Sequence, residues 1–337
     1  MTSVSIIGSG AWGTALAATA DRAGSETTIW SKDQETIDSI LKTRINPECF
    51  GEQKFSPTIK ATADLKEACQ SNIIVLAVPT QVIRAVSLEI AKILQPGSYV
   101  LIASKGIEQK TGLLLSEVLT QTMPDQTVGV ISGPSFAEEV FQAKPAAVTL
   151  AAPDITTGSW LARAFNSDRF RVYVSDDVIG TQIGGALKNV LAIACGLAAG
   201  KKLGENMQAL LITRGLAEMN RLAIAKGANP ETLCGLSGLG DVCLTCTSIT
   251  SRNYKFGFEI GQGKTVAEMM ANTAYLAEGV FTSKIITKLA HSLGVEMPIA
   301  FAVDAVLNKG ADVNQVIHDL MSRPTKIETF SQTASEA

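Results

Sequence analysis

Residues 4–20 read VSIIGSGAWGTALAATA, and this stretch decides the fold. An apolar, β-branched run leads directly into Gly8, Gly10 and Gly13, and small helix-forming residues follow. Such a strand, glycine-rich turn and helix are typical of dinucleotide-binding folds, because the glycines allow a tight turn, a close approach to a pyrophosphate and close packing of helix on strand. The helix N-terminus adds peptide N–H groups and a partial positive charge. The stretch therefore predicts a dinucleotide site.

Short apolar runs alternate with amphipathic stretches through the N-terminal part of the chain. This alternation predicts a doubly wound α/β domain of the Rossmann type, in which helices flank a mostly parallel sheet. Residues 81–94 and 112–121 carry apolar side chains at three- and four-residue spacing, as helices that pack on a sheet do. The predicted strands are residues 4–7, 27–30, 73–78, 99–103, 128–132, 147–151 and 171–175.

After about residue 177 the strand-like runs stop and long helical patterns begin. Ile212, Leu216, Met219 and Leu222 form one apolar stripe, and Glu218 lies off that stripe. The chain is also long enough for about two domains. We therefore predict a dinucleotide-binding domain over residues 1–180 and an all-helical substrate-binding domain over residues 181–330. Glycine and proline clusters predict helix breaks at residues 200–204, 227–230, 235–240 and 261–263.

Composition excludes several classes of function. The chain has 337 residues, with 29 Lys and Arg against 32 Asp and Glu, and a net charge of −3 is too balanced for a protein that coats nucleic acid or an anionic membrane. His291 and His318 are the only histidines, which disfavours zinc sites and Ser-His-Asp triads, so no metal is expected. Cys243 and Cys246 have CxxC spacing without a second pair, and we interpret them as structural.

The compartment follows from the cysteines and from the start of the chain. Six cysteines are dispersed along the sequence, and the first basic residue, Arg22, follows the first apolar stretch, so the charged leader of a signal peptide is missing. These features predict a cytoplasmic protein. The apolar run at residues 190–200 is shorter than the roughly 20 residues of a membrane span, and we interpret it as a buried helix.

The residues after the second predicted strand bear on the choice of cofactor. NAD-specific sites usually carry an acidic residue there, which binds the ribose hydroxyls. This sequence has Ser31 followed by Lys32, a small hydroxyl and a cation that would tolerate or attract the 2′-phosphate of NADP. Two alternatives stay open: Lys32 is only a solvated surface charge, or Asp33 binds the ribose.

Several polar residues stand out elsewhere. Lys105 and residues 132–135 follow predicted strands, where ligands gather in open α/β sheets, although Lys105 also fits an exposed surface position. Lys188 lies within an apolar helical run, so its ammonium either extends to the surface or faces a cleft. Arg252 would match a phosphate, since a guanidinium pairs with two phosphate oxygens, but Ser251 before it equally indicates a helix cap.

Seven motifs are spread along the chain: GSGAWGTALA at residues 8–17, SKG at 104–106, SGPSFAEEV at 132–140, GGALKNV at 184–190, TRGLAEM at 213–219, GLSGLGDVCLTCT at 235–247 and SRN at 251–253. Taken together, these motifs resemble the bacterial NAD(P)-dependent glycerol-3-phosphate dehydrogenase family, and the resemblance covers nearly the whole chain. It implies reversible reduction of dihydroxyacetone phosphate to sn-glycerol 3-phosphate, the entry step to phospholipid synthesis.

The resemblance also implies roles for single residues. Lys188 would be the catalytic proton donor and acceptor, and Lys105 would contact both the substrate and the cofactor, NADP or NAD. The implied substrate site comprises Lys105, Gly133, Ser135, Asn189, Asp241, Ser251, Arg252 and Asn253. The cofactor site comprises Gly8, Gly10, Ala11, Trp12, Gly13, Lys32, Lys105, Ala137, Arg252, Leu276 and Glu278. Ala11 and Leu276 depart from the commoner Ser and Val of the family. We expect a homodimer.

Two other classes of protein fit parts of the pattern. A hydroxyacid or ketopantoate reductase would have a similar build, but it would not need the Ser-Arg-Asn motif at residues 251–253. A non-catalytic NAD(P)-sensing module would need no lysine in a cleft and would present a surface for a regulatory partner.

Overall fold

The computed structural model describes residues 2–271 and 277–325. The chain forms two compact units: unit 1 comprises residues 1–108 and 113–182, and unit 2 comprises residues 109–112 and 183–337. A compact unit is not the same as an independently folding domain, so the limits of 1–180 and 181–330 stay predictions.

Unit 1 is built on one parallel-dominant sheet. Its strands are β1 (Ser3–Ile7), β2 (Glu26–Trp30), β3 (Lys60–Thr62), β4 (Ile73–Leu76), β5 (Tyr99–Ile102), β6 (Thr127–Ser132), β7 (Ala146–Ala151) and β8 (Phe170–Ser175). In the described residues they form an eight-stranded sheet in the order β3-β2-β1-β4-β5-β6-β7-β8. Only β6 and β7 pair antiparallel in that sheet. The strand order reverses between β1 and β4, which is where doubly wound sheets bind ligands.

Helices cover both faces of this sheet. They are α1 (Ala11–Arg22), α2 (Gln34–Thr43), α3 (Leu65–Ala68), α4 (Ile83–Ile90), α5 (Leu115–Thr122), α6 (Ala137–Phe141) and α7 (Ile155–Ala162). Val4 and Ile6 of β1 belong to one apolar cluster with Leu16 of α1, and Ile7 belongs to a second cluster with Leu119 of α5. Strand β1 therefore buries both of its faces, which explains the continuous apolar run at the start of the sequence.

The predicted Rossmann-type fold is confirmed, with two local differences. Strand β3 was missed because it has only three residues, of which Thr62 alone is buried, so it shows no periodicity. Strand β4 ends at Leu76 rather than at residue 78, since Pro79 has no N–H for a ladder and leads into a 3₁₀ turn, Thr80–Val82.

Unit 2 is helical, as predicted. Its longer helices are joined by a 3₁₀ turn at Thr232–Cys234 and a π-helical turn at Leu236–Gly240. The break predicted at residues 235–240 is limited to Gly235, whose backbone is extended, because the π-helical turn that follows runs directly into the next helix. The α-helices are α8 (Val178–Gly200), which begins in unit 1, α9 (Glu205–Ala225), α10 (Asp241–Cys246), α11 (Arg252–Gly261), α12 (Val266–Ala271), α13 (Glu278–Ser292), α14 (Pro298–Lys309) and α15 (Val313–Met321).

Helix α8 is longer than the apolar run that predicted it. Among the described helices it alone is long and apolar enough to cross a membrane, but 83% of its most apolar window is buried inside the protein. Its glycines explain this burial. A Cβ at Gly196 would lie 2.0 Å from the backbone oxygen of Tyr254, and one at Gly257 would lie 2.1 Å from that of Ile193. Helices α8 and α11 therefore pack backbone to backbone.

Glu218 is more deeply buried than its position in the sequence pattern suggests. It lies off the apolar stripe of α9, yet it is 4% exposed. Its two carboxylate oxygens accept hydrogen bonds from the backbone N–H groups of Ile299, at 2.8 Å, and Ala300, at 3.2 Å, at the start of α14. Burial raises the pKa of Glu218 to about 7, while these bonds and the positive charges of Arg221 and Arg323 oppose the rise.

Candidate active site

The glycine loop between β1 and α1 has little room for side chains. Gly8 has a φ of +121°, and a Cβ there would lie 2.6 Å from the backbone oxygen of Ala77. A Cβ at Gly13 would lie 2.0 Å from the backbone oxygen of Gly8. Both positions therefore require glycine, one for the turn and one for the close approach of the helix.

Gly10 has a different function from Gly8 and Gly13. It precedes α1 as the N-cap with φ −63°, it provides no side-chain cap, and the first turn of the helix carries no acidic residue. The space that a Cβ at Gly10 would fill is open. The indole Nε1 of Trp12 is buried without a hydrogen-bond partner in the described residues. An uncapped helix N-terminus beside an unpaired donor fits a dinucleotide pyrophosphate.

The residues after β2 divide into two roles. The Ser31 hydroxyl accepts hydrogen bonds from Ser9 Oγ, at 2.9 Å, and from the backbone N–H of Asp33, at 3.2 Å. Asp33 caps α2, because its carboxylate accepts from the backbone N–H groups of Glu35 and Thr36. Hydrogen bonds from Thr36 keep the pKa of Asp33 below its ordinary value. Both oxygens of Asp33 are thus engaged, which weakens the alternative that it binds a ribose.

Lys105, Gly133 and Ser135 come together beyond the carboxyl ends of β5 and β6. Lys105 Nζ donates a hydrogen bond to the backbone oxygen of Gly133 at 3.0 Å, and Ser135 Oγ donates to the same oxygen at 3.1 Å. Gly133 has a φ of +150°, which glycine adopts readily. Lys105 is half-buried rather than fully exposed. The structure therefore brings three of the predicted substrate residues of unit 1 into one cluster.

Two nearby positions have simpler explanations. A Cβ at Gly106 would lie 2.6 Å from Thr80 Oγ1, so the close contact with the Thr80 side chain explains this glycine. Ala137 is the first residue of α6 and is half-buried. Its predicted contact with the cofactor stays a prediction.

The side chain of Lys188 in unit 2 points into the protein. Lys188 is 8% exposed, and its Nζ donates hydrogen bonds to Asp241 Oδ1 at 2.5 Å and to Thr245 Oγ1 at 3.0 Å. Asp241 is fully buried. The ammonium therefore does not extend to the surface, and the pair places a positive charge in a low-dielectric setting, where charge acts strongly.

Backbone packing explains how these side chains meet. Gly184 lies one helical turn before Lys188, and a Cβ there would lie 2.2 Å from a backbone oxygen of the π-helical turn. This close approach seats the start of α10 against α8. Asp241 and Thr245 are four residues apart on α10 and so share one face. Thr245 stood out in the sequence only as part of a polar stretch and was given no role, although its spacing from Asp241 was the available signal.

The amide side chains of Asn189 and Asn253 form a chain of hydrogen bonds. Asn253 Nδ2 donates to Asn189 Oδ1 at 3.0 Å, and Asn253 Oδ1 accepts from the backbone N–H of Gly279, in the first turn of α13, at 2.9 Å. Ser251 Oγ accepts from the backbone N–H of Tyr254 at 3.3 Å and caps α11. The helix-cap interpretation of Ser251 is therefore what the structure shows.

Arg252 is the first residue of α11 and is exposed. Glu278 begins α13; burial raises the pKa of its carboxyl group, and the positive charge of Arg252 partly opposes that rise. An exposed guanidinium at a helix N-terminus favours an anion through both its charge and the helix dipole. Leu276, predicted to line the cofactor, lies outside the described residues.

A doubly wound sheet with a glycine loop open at a helix N-terminus defines a dinucleotide-binding protein. The helical unit holds a buried ammonium, which is the type of group that can donate a proton in a nicotinamide-dependent oxidoreductase. Fold and site thus define a dehydrogenase of two units.

Comparison with known proteins narrows this class. Residues 3–157 match the NAD-dependent glycerol-3-phosphate dehydrogenase N-terminus, and residues 177–318 match the NAD-dependent glycerol-3-phosphate dehydrogenase C-terminus. A Rhodospirillum rubrum protein named glycerol-3-phosphate dehydrogenase (NAD(P)+) is 46% identical over 332 residues, which cover 98% of this chain and 95% of that protein. A Parvibaculum lavamentivorans protein of the same name is 43% identical, over a match that covers 97% of this chain and 98% of that protein.

A solved structure supports the same family assignment. The crystal structure of glycerol-3-phosphate dehydrogenase from Coxiella burnetii matches with a TM-score of 0.90 and 36% identity, covering 96% of this chain and 99% of that one. This chain belongs to the NAD-dependent glycerol-3-phosphate dehydrogenase family. The resemblance seen in the sequence and the expectation of an NAD(P)-dependent enzyme are confirmed. The roles of single site residues stay predictions.

Proposed function

We propose that this protein reversibly reduces dihydroxyacetone phosphate to sn-glycerol 3-phosphate with NADPH or NADH, and so supplies glycerophospholipid synthesis. The observation that carries the proposal is the buried Lys188–Asp241 pair, with Nζ and Oδ1 2.5 Å apart, in a chain of this family. A reductase of ketones needs a proton donor, and burial and hydrogen bonds hold the Lys188 ammonium in a fixed place.

The proposed reaction divides between the cofactor and the helical unit. When bound, the reduced nicotinamide supplies a hydride to the ketone carbon. The oxygen of that ketone then needs a proton and a nearby positive charge. Lys188 supplies both, while Asp241 and Thr245 orient its Nζ through the two hydrogen bonds described above.

Cofactor binding is assigned to unit 1. The N–H groups at the start of α1, with Gly10, Ala11 and Trp12, would hold the pyrophosphate. Ser31 and Lys32 stand where the adenosine ribose would lie, and Asp33 is engaged in capping α2. This arrangement supports use of NADPH as well as NADH. Lys105, which donates to the Gly133 carbonyl, is assigned to both substrate and cofactor.

Arg252 is assigned to the substrate phosphate. Its guanidinium is exposed at the N-terminus of α11, where Ser251 fixes the start of the helix. Asn189 and Asn253 hold the start of α13 by their hydrogen bonds, and Glu278 begins that helix. These five residues would shape the surroundings of the phosphate and the cofactor.

Two broader features belong to the same proposal. The six cysteines are free, which suits a reducing cytoplasm. A homodimer is the simplest closed assembly for such a chain, because two-fold dimers are the commonest oligomers. Sedimentation of the purified protein would test the dimer: a single species of monomer mass contradicts it.

The activity is tested by mixing the purified protein with NADPH and dihydroxyacetone phosphate and following the absorbance of the reduced cofactor. We expect rapid oxidation of NADPH and production of sn-glycerol 3-phosphate. Three other compounds serve as comparison substrates: ketopantoate, a second 2-oxo acid, and unphosphorylated dihydroxyacetone. Faster turnover of ketopantoate or the oxo acid contradicts the proposal, and binding of NADPH without turnover of any substrate would favour a sensing module.

A further inference from the structure

One peptide of the glycine loop is anchored from inside the protein. The backbone oxygen of Ser9, a residue that is 7% exposed, accepts hydrogen bonds from Thr14 Oγ1 at 3.1 Å and from Asn46 Nδ2 at 2.7 Å. The thiol of Cys49 approaches the same oxygen at 4.0 Å. The side chain that makes the shortest of these contacts, Asn46, is 2% exposed. It belongs to a segment that the glycine motif does not include.

Asn46 is itself held in place. Its Nδ2 also donates to Thr14 Oγ1 at 2.8 Å, and its Oδ1 accepts from the backbone N–H of Glu48 at 3.0 Å. The segment around it is tied down at both ends. The Arg44 guanidinium donates to the backbone oxygen of Ile59 at 2.7 Å.

Aromatic contacts fix the far side of this segment. The rings of Phe50 and Phe55 lie 4.9 and 5.5 Å from the ring of Phe141 at the end of α6. The hydrogen bond from Asn46 to the loop therefore comes from a rigid support, and it can hold a peptide in one orientation.

The orientation of that peptide matters for a ligand. In a trans peptide the carbonyl and the N–H point in opposite directions, so a Ser9 oxygen fixed in the interior turns the N–H of Gly10 outward. Gly10 has no side chain to resist rotation, and the space outside it is open. A bond that holds the Ser9 oxygen thus also holds the direction of the Gly10 N–H.

We propose that Asn46 is a positioning residue for the cofactor: it holds the Ser9–Gly10 peptide so that the Gly10 N–H faces the pyrophosphate. The inference rests on the proposed function, because it assumes a dinucleotide at the N-terminus of α1. Asn46 itself does not touch the cofactor. It acts through the loop, and its effect should be the same for NADPH and NADH, which share the pyrophosphate.

The test uses two variants and one matched control. Asn46→Ala removes both donors. Asn46→Asp keeps the shape and the acceptor for Glu48 but sets a carboxylate against the Ser9 oxygen. Asn72→Ala is the control, because Asn72 accepts hydrogen bonds from the Ser3 N–H and hydroxyl, at 3.1 and 2.9 Å, at the opposite end of β1.

Each protein is titrated calorimetrically with NADPH and with NADH, its unfolding temperature is measured without cofactor, and kcat is measured at saturating cofactor. Loss of one hydrogen bond to a charged group predicts that Kd rises by about 10- to 100-fold, equally for both cofactors. Asn46→Asp should show the larger rise. We expect kcat to stay within about three-fold of wild type and Asn72→Ala to bind normally.

The outcomes separate cleanly. Normal Kd values in both Asn46 variants overturn the inference, as does a rise confined to NADPH. An equal rise in Asn72→Ala also overturns it, because the effect would then reflect general loosening of the sheet. If the Ala variant fails to fold, the isosteric Asp variant carries the same test. A wild-type protein that binds neither cofactor contradicts the proposed function instead.

Discussion

The cofactor loop of unit 1 and the lysine cluster of unit 2 are built from different parts of the chain. In the loop, Gly8, Gly10 and Gly13 leave only backbone, and N–H groups at a helix end are the proposed binding elements. In the cluster, the proposed chemistry depends on two buried side chains, Lys188 and Asp241, that stand 53 residues apart in sequence. The comparison teaches that binding and chemistry should respond differently to substitution.

A backbone site tolerates most changes to its neighbours but not a side chain placed in its open space. A buried ion pair behaves in the opposite way, because removal of one partner leaves the other charge without compensation. Substitutions in the loop should therefore alter affinity for the cofactor and leave the rest intact. Substitutions in the pair should alter turnover and stability together.

The largest effect is expected at Lys188. Lys188→Ala should lower kcat by about a hundred- to ten-thousand-fold, because the proton donor is lost. It should also destabilise the protein by about 3 to 5 kcal/mol, since the fully buried Asp241 then loses the positive charge of Lys188. The measurements are kcat at saturating substrate and cofactor, and urea unfolding of the same preparation.

A paired variant separates the two losses. Lys188→Met combined with Asp241→Asn removes both charges, so stability should return toward wild type while turnover stays low. Recovery of turnover in this variant would show that Lys188 acts only in folding. Near-normal kcat in Lys188→Ala would contradict the assignment directly.

Arg252 should give the next largest effect. Arg252→Ala removes charge-assisted hydrogen bonds to the substrate phosphate, and kcat/KM for dihydroxyacetone phosphate should fall by about 30- to 1000-fold. Turnover of unphosphorylated dihydroxyacetone should change little. Lys264→Ala, which removes another exposed cation just after the same helix, is the matched control. An equal proportional loss on both substrates would show that Arg252 does not bind the phosphate.

Glu218 tests whether every buried charge in unit 2 matters for chemistry. Its pKa rises from 4.5 to about 7 on folding, so its contribution to stability is fully present below about pH 4.5 and is lost as the pH rises to about 7. The shift corresponds to about 3 kcal/mol. Glu218→Gln should flatten that decline without altering kcat, and urea unfolding between about pH 5 and pH 8 measures it. Parallel pH profiles in the two proteins would contradict the prediction.

The smallest effect concerns the choice between cofactors. Wild type should accept NADPH at least as well as NADH. Lys32 is exposed, so Lys32→Ala should weaken NADPH binding only about two- to five-fold, less so at high salt, and leave NADH unchanged. Ser31→Asp should shift preference toward NADH. Specificity constants of the wild type and the two variants for both cofactors test these predictions. A strong wild-type preference for NADH would show that Asp33 governs the ribose pocket.

The sequence predicted local features well and distant contacts poorly. The glycine loop is readable because its strand, turn and helix are contiguous and each glycine has a steric reason. Lys188 stood out as a charge in an apolar helix, but its direction was undecided, since Asp241 reaches it only through packing of the π-helical turn. Nothing in the sequence indicated the contacts of Asn46 and Glu218, because each side chain binds backbone groups that are distant in sequence and come close only in the folded protein.

The most direct test of the account is one cofactor titration on two variants, Gly10→Ala and the Lys188→Met, Asp241→Asn pair. A methyl group at Gly10 meets nothing within 4 Å among the described residues, so it should leave unfolding unchanged and oppose only a bound pyrophosphate. The account predicts a Kd for NADPH raised by about ten-fold or more in Gly10→Ala and a near-normal Kd in the paired variant. Normal binding in Gly10→Ala, or lost binding in the paired variant alone, would contradict it.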